Sequence, residues 1–319
     1  MCKAAALVSK GLKAVLMRQT AARVNIGCQS VDALAAYAAA MLRFSRTVVK
    51  IGLLAGGVLA AVAQPVVADE GWAPAVHARY KLRFNGIGVG HLDVTSKVDG
   101  KAYSVSGNGE VSVLFGAIKW AGSASVSGAI HAGAPQPKTY AFDWRNNKKG
   151  GTVRMGYTGA KAASIAVEPP PGTGGEHVPL RPEHMVGMLD PLSAVLMLTR
   201  AGGHAPCERR VNIFDGKQRY DIVYTFKRHT RIAAEKAGGA SSIGFVCRAM
   251  FEPIAGHRDN AANKAYAANR DAEVVMRPIP GTALLVPSSV TIPTSWGTGS
   301  MVTGRIDVTT SAGPVALTE

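Results

Sequence analysis

The sequence lacks the short motifs that mark the commonest hydrolase, metal and nucleotide sites. It has no Gly-x-Ser-x-Gly nucleophile elbow, no His-Glu-x-x-His zinc motif and no Cys-x-x-Cys redox motif. Gly86, Gly88 and Gly90 alternate, but no helix pattern follows that would aim backbone amides at a phosphate. The eight histidines are spread along the chain, and we expect neither a metal site nor a cofactor.

Charged residues are also scarce, at 18% of the 319 residues, and they are unevenly distributed. The first 68 residues hold eight basic residues and one acidic residue, which leaves a formal charge of +8 for residues 69–319. These charges form no cluster interleaved with aromatic residues, so nucleic acid is not an expected partner. Hydrophobic residues, at 47%, are as frequent as in ordinary folded domains, and a packed core is expected.

Residues 41–68 have the layout of a secretory signal peptide. Cations such as Arg43 and Lys50 come first, and Val66-Val67-Ala68 ends the segment with small residues that fit a peptidase cleft. The apolar run between them has about 13 residues, fewer than the about 20 of a bilayer-spanning helix. We therefore predict cleavage after Ala68, a periplasmic location, and no transmembrane span in the exported chain.

Residues 1–40 precede this complete signal, and Met41 is itself a plausible start of translation. We interpret 1–40 as an over-long start or as an amphipathic N-terminal extension. The exported chain, 69–319, then contains two cysteines, Cys207 and Cys247, and neither has a histidine or cysteine at metal-ligand spacing. An even pair in an oxidising compartment predicts a disulfide.

Most of the exported chain alternates apolar and polar residues, as half-buried strands do. In residues 77–84, Ala78, Tyr80, Leu82 and Phe84 share one face and cations occupy the other. Such segments recur between turns like Asp99-Gly100, and no charge run or Gly/Ser linker divides them. The pattern predicts a single, mainly β domain of about ten to twelve strands, as a curved antiparallel sheet or open half-barrel with one main helix.

The main helix is predicted to begin at Asp190 and Pro191. The side chain of Asp190 suits an N-cap and Pro191 suits the first helical position. Leu192, Val195 and Leu196 follow at helical spacing. We expect this apolar stripe to face the sheet or a ligand. A short helix or helical turn is also expected within 110–120, where apolar residues recur at three to four residues.

Several segments together resemble a bacterial envelope family known as domain of unknown function 3108. They are the strand Tyr80-Lys81-Leu82-Arg83-Phe84 with the glycine-rich hairpin to Gly90, the helix start Asp190-Pro191-Leu192-Ser193-Ala194, the turn Phe214-Asp215-Gly216-Lys217-Gln218-Arg219-Tyr220-Asp221, and Cys247 followed by Pro253-Ile254-Ala255-Gly256-His257. The resemblance covers residues 76–310. It implies an exported β-rich envelope protein with no assigned reaction, similar in architecture to half-barrel proteins that handle lipids or lipoproteins.

The leading hypothesis is a non-enzymatic periplasmic protein that binds a lipid, a lipoprotein or another lipophilic ligand, with Leu192, Val195 and Leu196 as ligand-facing candidates. A rival is an envelope hydrolase that uses Asp215, Asp221 and His257. Asp215 with Gly216 equally fits a hairpin turn, and a lone loop histidine is more often structural than catalytic. A third reading is a structural protein that pairs a free sheet edge with an envelope partner.

Overall fold

The computed structural model describes residues 71–113, 116–171, 177–200, 206–233 and 241–318. Strands dominate these residues. They are β1 (Ala75–Phe84), β2 (Ile87–Asp99), β3 (Ala102–Val113), β4 (Ile118–His131), β5 (Ala134–Asn146), β6 (Gly150–Thr158), β7 (Lys161–Glu168), β8 (Arg209–Phe214), β9 (Arg219–Ile232), β10 (Ser242–Ala255), β11 (Glu273–Pro278), β12 (Leu285–Thr294), β13 (Gly297–Thr310) and β14 (Gly313–Thr318). The two α-helices of the described part are α1 (Pro191–Leu198) and α2 (Ala261–Ala268), and a 3₁₀ turn spans Pro182–Met185.

All fourteen strands belong to one antiparallel sheet, whose order is β7-β6-β5-β4-β3-β2-β1-β13-β12-β11-β10-β9-β8, with β14 paired to β13. The sheet is open, because β7 and β8 at its two ends do not pair with each other. The predicted fold class, a mainly β domain with an open antiparallel sheet, is confirmed. The strand count exceeds the expected ten to twelve, in part because β14 follows β13 through a short turn.

Alternation of side chains explains why these segments are strands. In β3, Tyr103, Val105, Gly107 and Gly109 are buried, and the residues between them are exposed. Period-two burial of this kind requires one face of the sheet to pack and the other to meet solvent.

The sheet curves around α1. This helix contacts β3, β4 and β5 in one half of the sheet and β8 at the far end. The two ends are linked by the segment before the helix, since Val186 forms a bridge with Lys161 of β7 and Leu189 forms one with Ile213 of β8. The face that holds α1 is called the concave face below.

Apolar side chains of the concave face form the core. The largest cluster joins β3–β6 to Leu196 of α1 and Phe214 of β8. A second cluster lies between β1, β13 and β14, and includes Tyr80, Ile306 and Leu317. The predicted disulfide joins Cys207 and Cys247, whose Cα atoms are 5.2 Å apart, within a third cluster.

The short helix expected within 110–120 is not formed in its described part. Glu110–Val113 continues β3 and Ile118–Trp120 opens β4. Residues 114 and 115, at the centre of this segment, lie outside the described residues, so the helical turn stays a prediction. Conversely, α2 was not expected, although Asn260 caps it by accepting a hydrogen bond from the Asn263 amide at 2.9 Å.

The predicted extension 1–40, the signal peptide 41–68 and its cleavage after Ala68 lie outside the described residues. Within the part that is described, no helix has the length and apolar character to cross a membrane.

Candidate functional site

Helix α1 begins at a fully buried carboxylate on the concave face. Asp190 Oδ1 accepts hydrogen bonds from the amides of Leu192 and Ser193, both at 3.0 Å, and Oδ2 accepts the Ser193 hydroxyl at 2.5 Å. Since Ser193 uses its own proton on Asp190, the Tyr103 hydroxyl, 2.6 Å away, donates to Ser193 Oγ. This chain of hydrogen bonds fastens α1 to β3.

The environment of Asp190 is structural in character. Burial raises the pKa of Asp190, and the hydrogen bonds from Ser193 and Leu192 oppose that rise. Asp190 and Ser193 have no exposed surface, so a substrate cannot reach the serine hydroxyl. The carboxylate is thus an N-cap held inside the fold.

The three ligand-facing candidates on α1 have different surroundings. Leu196 is 4% exposed and packs in the main cluster with Tyr103 and Val105, and Leu192 packs at the margin of that cluster. Val195 is 40% exposed. Two of the three side chains therefore take part in core packing, and their contact with a ligand stays a prediction.

Asp215 lies in the β8–β9 turn. Its Oδ1 accepts hydrogen bonds from the amides of Lys217 and Gln218 at 2.8 and 2.7 Å, which is how an aspartate stabilises a tight turn. Burial raises the pKa of Asp215, partly offset by these amides. Gly216, at a φ of +94°, completes the turn in a conformation that favours glycine.

Asp221 lies on the other face of β9. It is 5% exposed and pairs with Arg219 and with Arg210, the latter at 2.8 Å; Arg210 also binds Glu252 at 2.6 Å. Tyr220, between Arg219 and Asp221, packs toward α1, so alternation directs Asp221 away from the concave face. A carboxylate shared by two arginines is already neutralised.

His257 is in the loop after β10. Its carbonyl accepts from the Val178 amide at 2.9 Å, and its ring Nδ1 is buried without a hydrogen-bond partner. None of the hydrogen bonds or ion pairs of Asp215 and Asp221 in the described residues involves His257. The structure therefore does not join the three catalytic candidates into one hydrogen-bonded group.

Three aromatic side chains form a shelf on the concave face, near the end of the sheet where β4 begins and β5 ends. Trp120 and Phe142 have ring centroids 6.5 Å apart, and Trp144 lies two residues beyond Phe142 on the same face. Lys217 Nζ lies 5.9 Å from the centre of the Trp144 ring. Trp120, Phe142 and Trp144 are called the aromatic shelf below.

Glycine makes room for the aromatic shelf. A Cβ atom on Gly122 would come within 2.5 Å of the Trp120 indole and 3.2 Å of the Phe142 ring. The indole therefore packs against Gly122 in space that a larger residue would fill, and 36% of Trp120 is still exposed. Part of the apolar surface of the shelf is therefore exposed and not packed against neighbouring side chains.

A cavity of about 580 Å³ adjoins the shelf. Val111, Trp120 and Asn146 line it on the concave face. Glu110, Lys119 and Arg145 also line it, but the register places them on the opposite face of the sheet, so the cavity is open around the sheet's end. Its size is within the usual range of small-molecule sites, about 300–1,000 Å³. In the described part of the chain, no three His, Cys, Asp or Glu side chains are grouped as metal ligands.

The sequence analysis did not single out the shelf or the Tyr103–Ser193 hydrogen bond. Trp120, Phe142 and Trp144 stand on two strands, and only the β4–β5 register, which pairs Gly122 with Trp144, brings them together. The Asp-Pro-x-Ser start of α1 was visible in the sequence, but its tyrosine partner was not.

The family model described as "Protein of unknown function (DUF3108)" matches residues 79–258. The matched range includes α1, the β8–β9 turn and the aromatic shelf. No curated protein and no solved structure matches the chain.

Proposed function

Because the chain belongs to the DUF3108 family of proteins of unknown function, we propose its function from its own surface: it is an exported, non-enzymatic envelope protein that binds a lipophilic ligand on the aromatic shelf. Residues 41–68 support export, since they combine cations, a short apolar run and a small-residue end. The periplasm is the proposed location, and an envelope lipid or a lipidated envelope protein is the proposed partner.

The observation that carries this proposal is the exposed aromatic surface beside a cavity. Apolar surface in a concave region, with a few polar groups around it, is the usual form of a small-molecule site. Lys217 at Trp144 favours a ligand whose polar end is anionic, such as a fatty-acyl carboxylate or a lipid phosphate.

Titration with the fluorescent fatty acid cis-parinaric acid tests the proposal. The exported chain is expected to bind it saturably. Trp120→Ala removes much of the shelf, and the lost apolar contact corresponds to a decrease in affinity of about ten- to a hundred-fold. Trp144→Ala is expected to act in the same direction.

Tyr266→Ala is the matched control, because Tyr266 is an exposed aromatic residue on α2, away from the shelf. It is expected to leave cis-parinaric acid binding unchanged. Absence of saturable binding, or equal binding by Trp120→Ala and the parent chain, would refute the proposed site. Mass spectrometry of the natively purified chain would identify a retained lipid.

A further inference from the structure

Two neighbouring hairpins extend beyond the strands beside them. Strand β2 pairs with β3 only from Gly90 onward, and β12 pairs with β11 only as far as Thr291. The residues of β1, β2, β12 and β13 beyond those points pair only with one another in the register described. The two hairpin ends are called the tip below.

The tip is held together by Asn85, in the β1–β2 turn. The Asn85 amide donates to the Thr298 carbonyl at 2.9 Å, and the Thr298 amide donates to Asn85 Oδ1 at 2.8 Å. The β12–β13 turn is itself fixed by Thr294, whose hydroxyl donates to the Gly297 carbonyl at 2.7 Å. The tip is therefore an ordered part of the sheet.

Large apolar side chains are exposed on the tip. The register places Ile87, Phe84 and Ile292 in one row across the strands, with Gly299 between the last two. Directly opposed residues share a face of the sheet. Ile87 is 71% exposed and Trp296, in the adjoining turn, is 85% exposed.

Cations accompany this apolar row. Lys81 and Arg83 alternate with Leu82 and Phe84 and so lie on the opposite face of β1, both exposed. No ion pair in the described residues involves either of them. Asn269 fastens the end of α2 to the tip by donating to the Pro293 carbonyl at 2.7 Å, and the residues that follow, Arg270 and Asp271, balance in charge.

We propose that the tip docks the protein on an anionic lipid bilayer, with Phe84, Ile87, Ile292 and Trp296 at the level of the headgroups and Lys81 and Arg83 against lipid phosphates. Exposed apolar surface of this kind marks an interaction site, and tryptophan favours the membrane–water interface. The unpaired cations match the charge of anionic lipids.

Docking through the tip does not require the aromatic shelf, but the tip and the shelf lie at the same end of the sheet. The β1–β2, β3–β4, β5–β6 and β12–β13 turns all lie at the same end of the sheet, because alternate turns of an antiparallel meander do. A tip seated on a bilayer therefore places the end of the sheet that carries Trp120 toward the lipid.

Sedimentation with vesicles tests the proposal. The exported chain is expected to bind vesicles that contain phosphatidylglycerol far better than vesicles of pure phosphatidylcholine. The double variant Lys81→Gln/Arg83→Gln is expected to bind the anionic vesicles about thirty-fold more weakly, as two lost charges near such a surface imply. High salt is expected to weaken binding by the parent chain.

Variants of the exposed apolar residues provide the second test of vesicle binding. Ile87→Ser/Trp296→Ser is expected to abolish vesicle binding, and Ile243→Ser is the matched control, because Ile243 is a 62% exposed isoleucine on β10, outside the tip. Trp120→Ala, which is expected to weaken fatty-acid binding, leaves vesicle binding unchanged.

Vesicle binding that survives loss of the tip residues, no binding to anionic vesicles, or equal binding to both vesicle types would overturn the proposal. Circular dichroism confirms that each variant is folded.

Discussion

Asp190 is the side chain whose ionisation the fold opposes most clearly. It is fully buried, its partners are two amides and a hydroxyl, and no ion pair in the described residues involves it. Asp215, in the β8–β9 turn, is half-buried and also bound to amides. Burial raises the pKa of both carboxyl groups.

The raised pKa of Asp190 predicts a specific dependence of stability on pH. The native state binds the proton more tightly than the unfolded state does, so this contribution to stability is fully present below the ordinary pKa of 3.8 and is lost as pH rises through the native value. Asp190→Asn keeps an N-cap acceptor but cannot ionise. Its free energy of unfolding, relative to the parent chain, is therefore expected to increase from pH 4 to pH 7.5 in urea titrations.

Asp190→Ala is the companion variant: it removes the cap, which is expected to cost about 1–2 kcal/mol at pH 4. Because alanine cannot ionise either, this cost relative to the parent chain is expected to decrease toward pH 7.5. A difference between Asp190→Asn and the parent chain that stays constant across this range would show that the carboxyl group titrates normally.

At this scale the sequence was informative where a residue acts within its own segment. The Asp190 cap and the Asp215 turn were predicted from local residue patterns, and the structure has both. The Cys207–Cys247 disulfide was predicted from an even pair of cysteines in an exported chain, and it is also present. Contacts that depend on sheet register, such as Tyr103 with Ser193, could not be predicted, because residues 90 positions apart meet only after the strands align.

Among the helices and strands, α1 is the one whose packing distinguishes two roles for its apolar stripe, contact with the sheet or contact with a ligand. Leu196 is enclosed by the side chains of several strands, whereas Val195, one residue earlier, is largely exposed. Because α1 fills the concave face, the free energy of unfolding should depend on Leu196 and not on Val195.

Leu196→Ala is expected to lower the free energy of unfolding by about 2–5 kcal/mol, as loss of a buried leucine leaves a cavity. Val195→Ala, the matched control on the same helix, is expected to change it by about 0.5 kcal/mol or less. Urea unfolding of both variants measures the difference. Similar effects at both positions would mean that the buried face of α1 is not the one described. A gain in hydrophobic dye binding by Leu196→Ala would show that a ligand space continues beneath the helix.

The elements also show where sequence patterns fail. Strands were predictable because alternation is a local property, as in β1 and β3. The unexpected α2 shows the limit, since a helix of eight residues is too short to show a clear period of 3.6. Helix α2 has no buried residue, so its sequence contains no apolar stripe to detect.

At the scale of the whole molecule, the proposed envelope function depends most on export of the chain. The N-terminal sequence of the protein recovered from the periplasm is expected to begin at Asp69 or within a residue or two of it, because Val66-Val67-Ala68 fits signal peptidase. A product that keeps residues 41–68 and stays with the membrane would contradict cleavage, and recovery from the cytoplasm would contradict export.

The position of β1 has a consequence for the order in which the chain can fold. This strand is among the first made, yet it lies in the middle of the sheet and pairs on one side with β13, near the other end of the chain. Asn85 and Thr298, which join at the tip, are 213 residues apart. The family-matched segment, 79–258, ends before β11, so alone it would leave one edge of β1 unpaired. Synthesis of β12 and β13, and not of the family-matched segment, is therefore the event that permits β1 to pair on both sides, and contacts of such separation fold slowly.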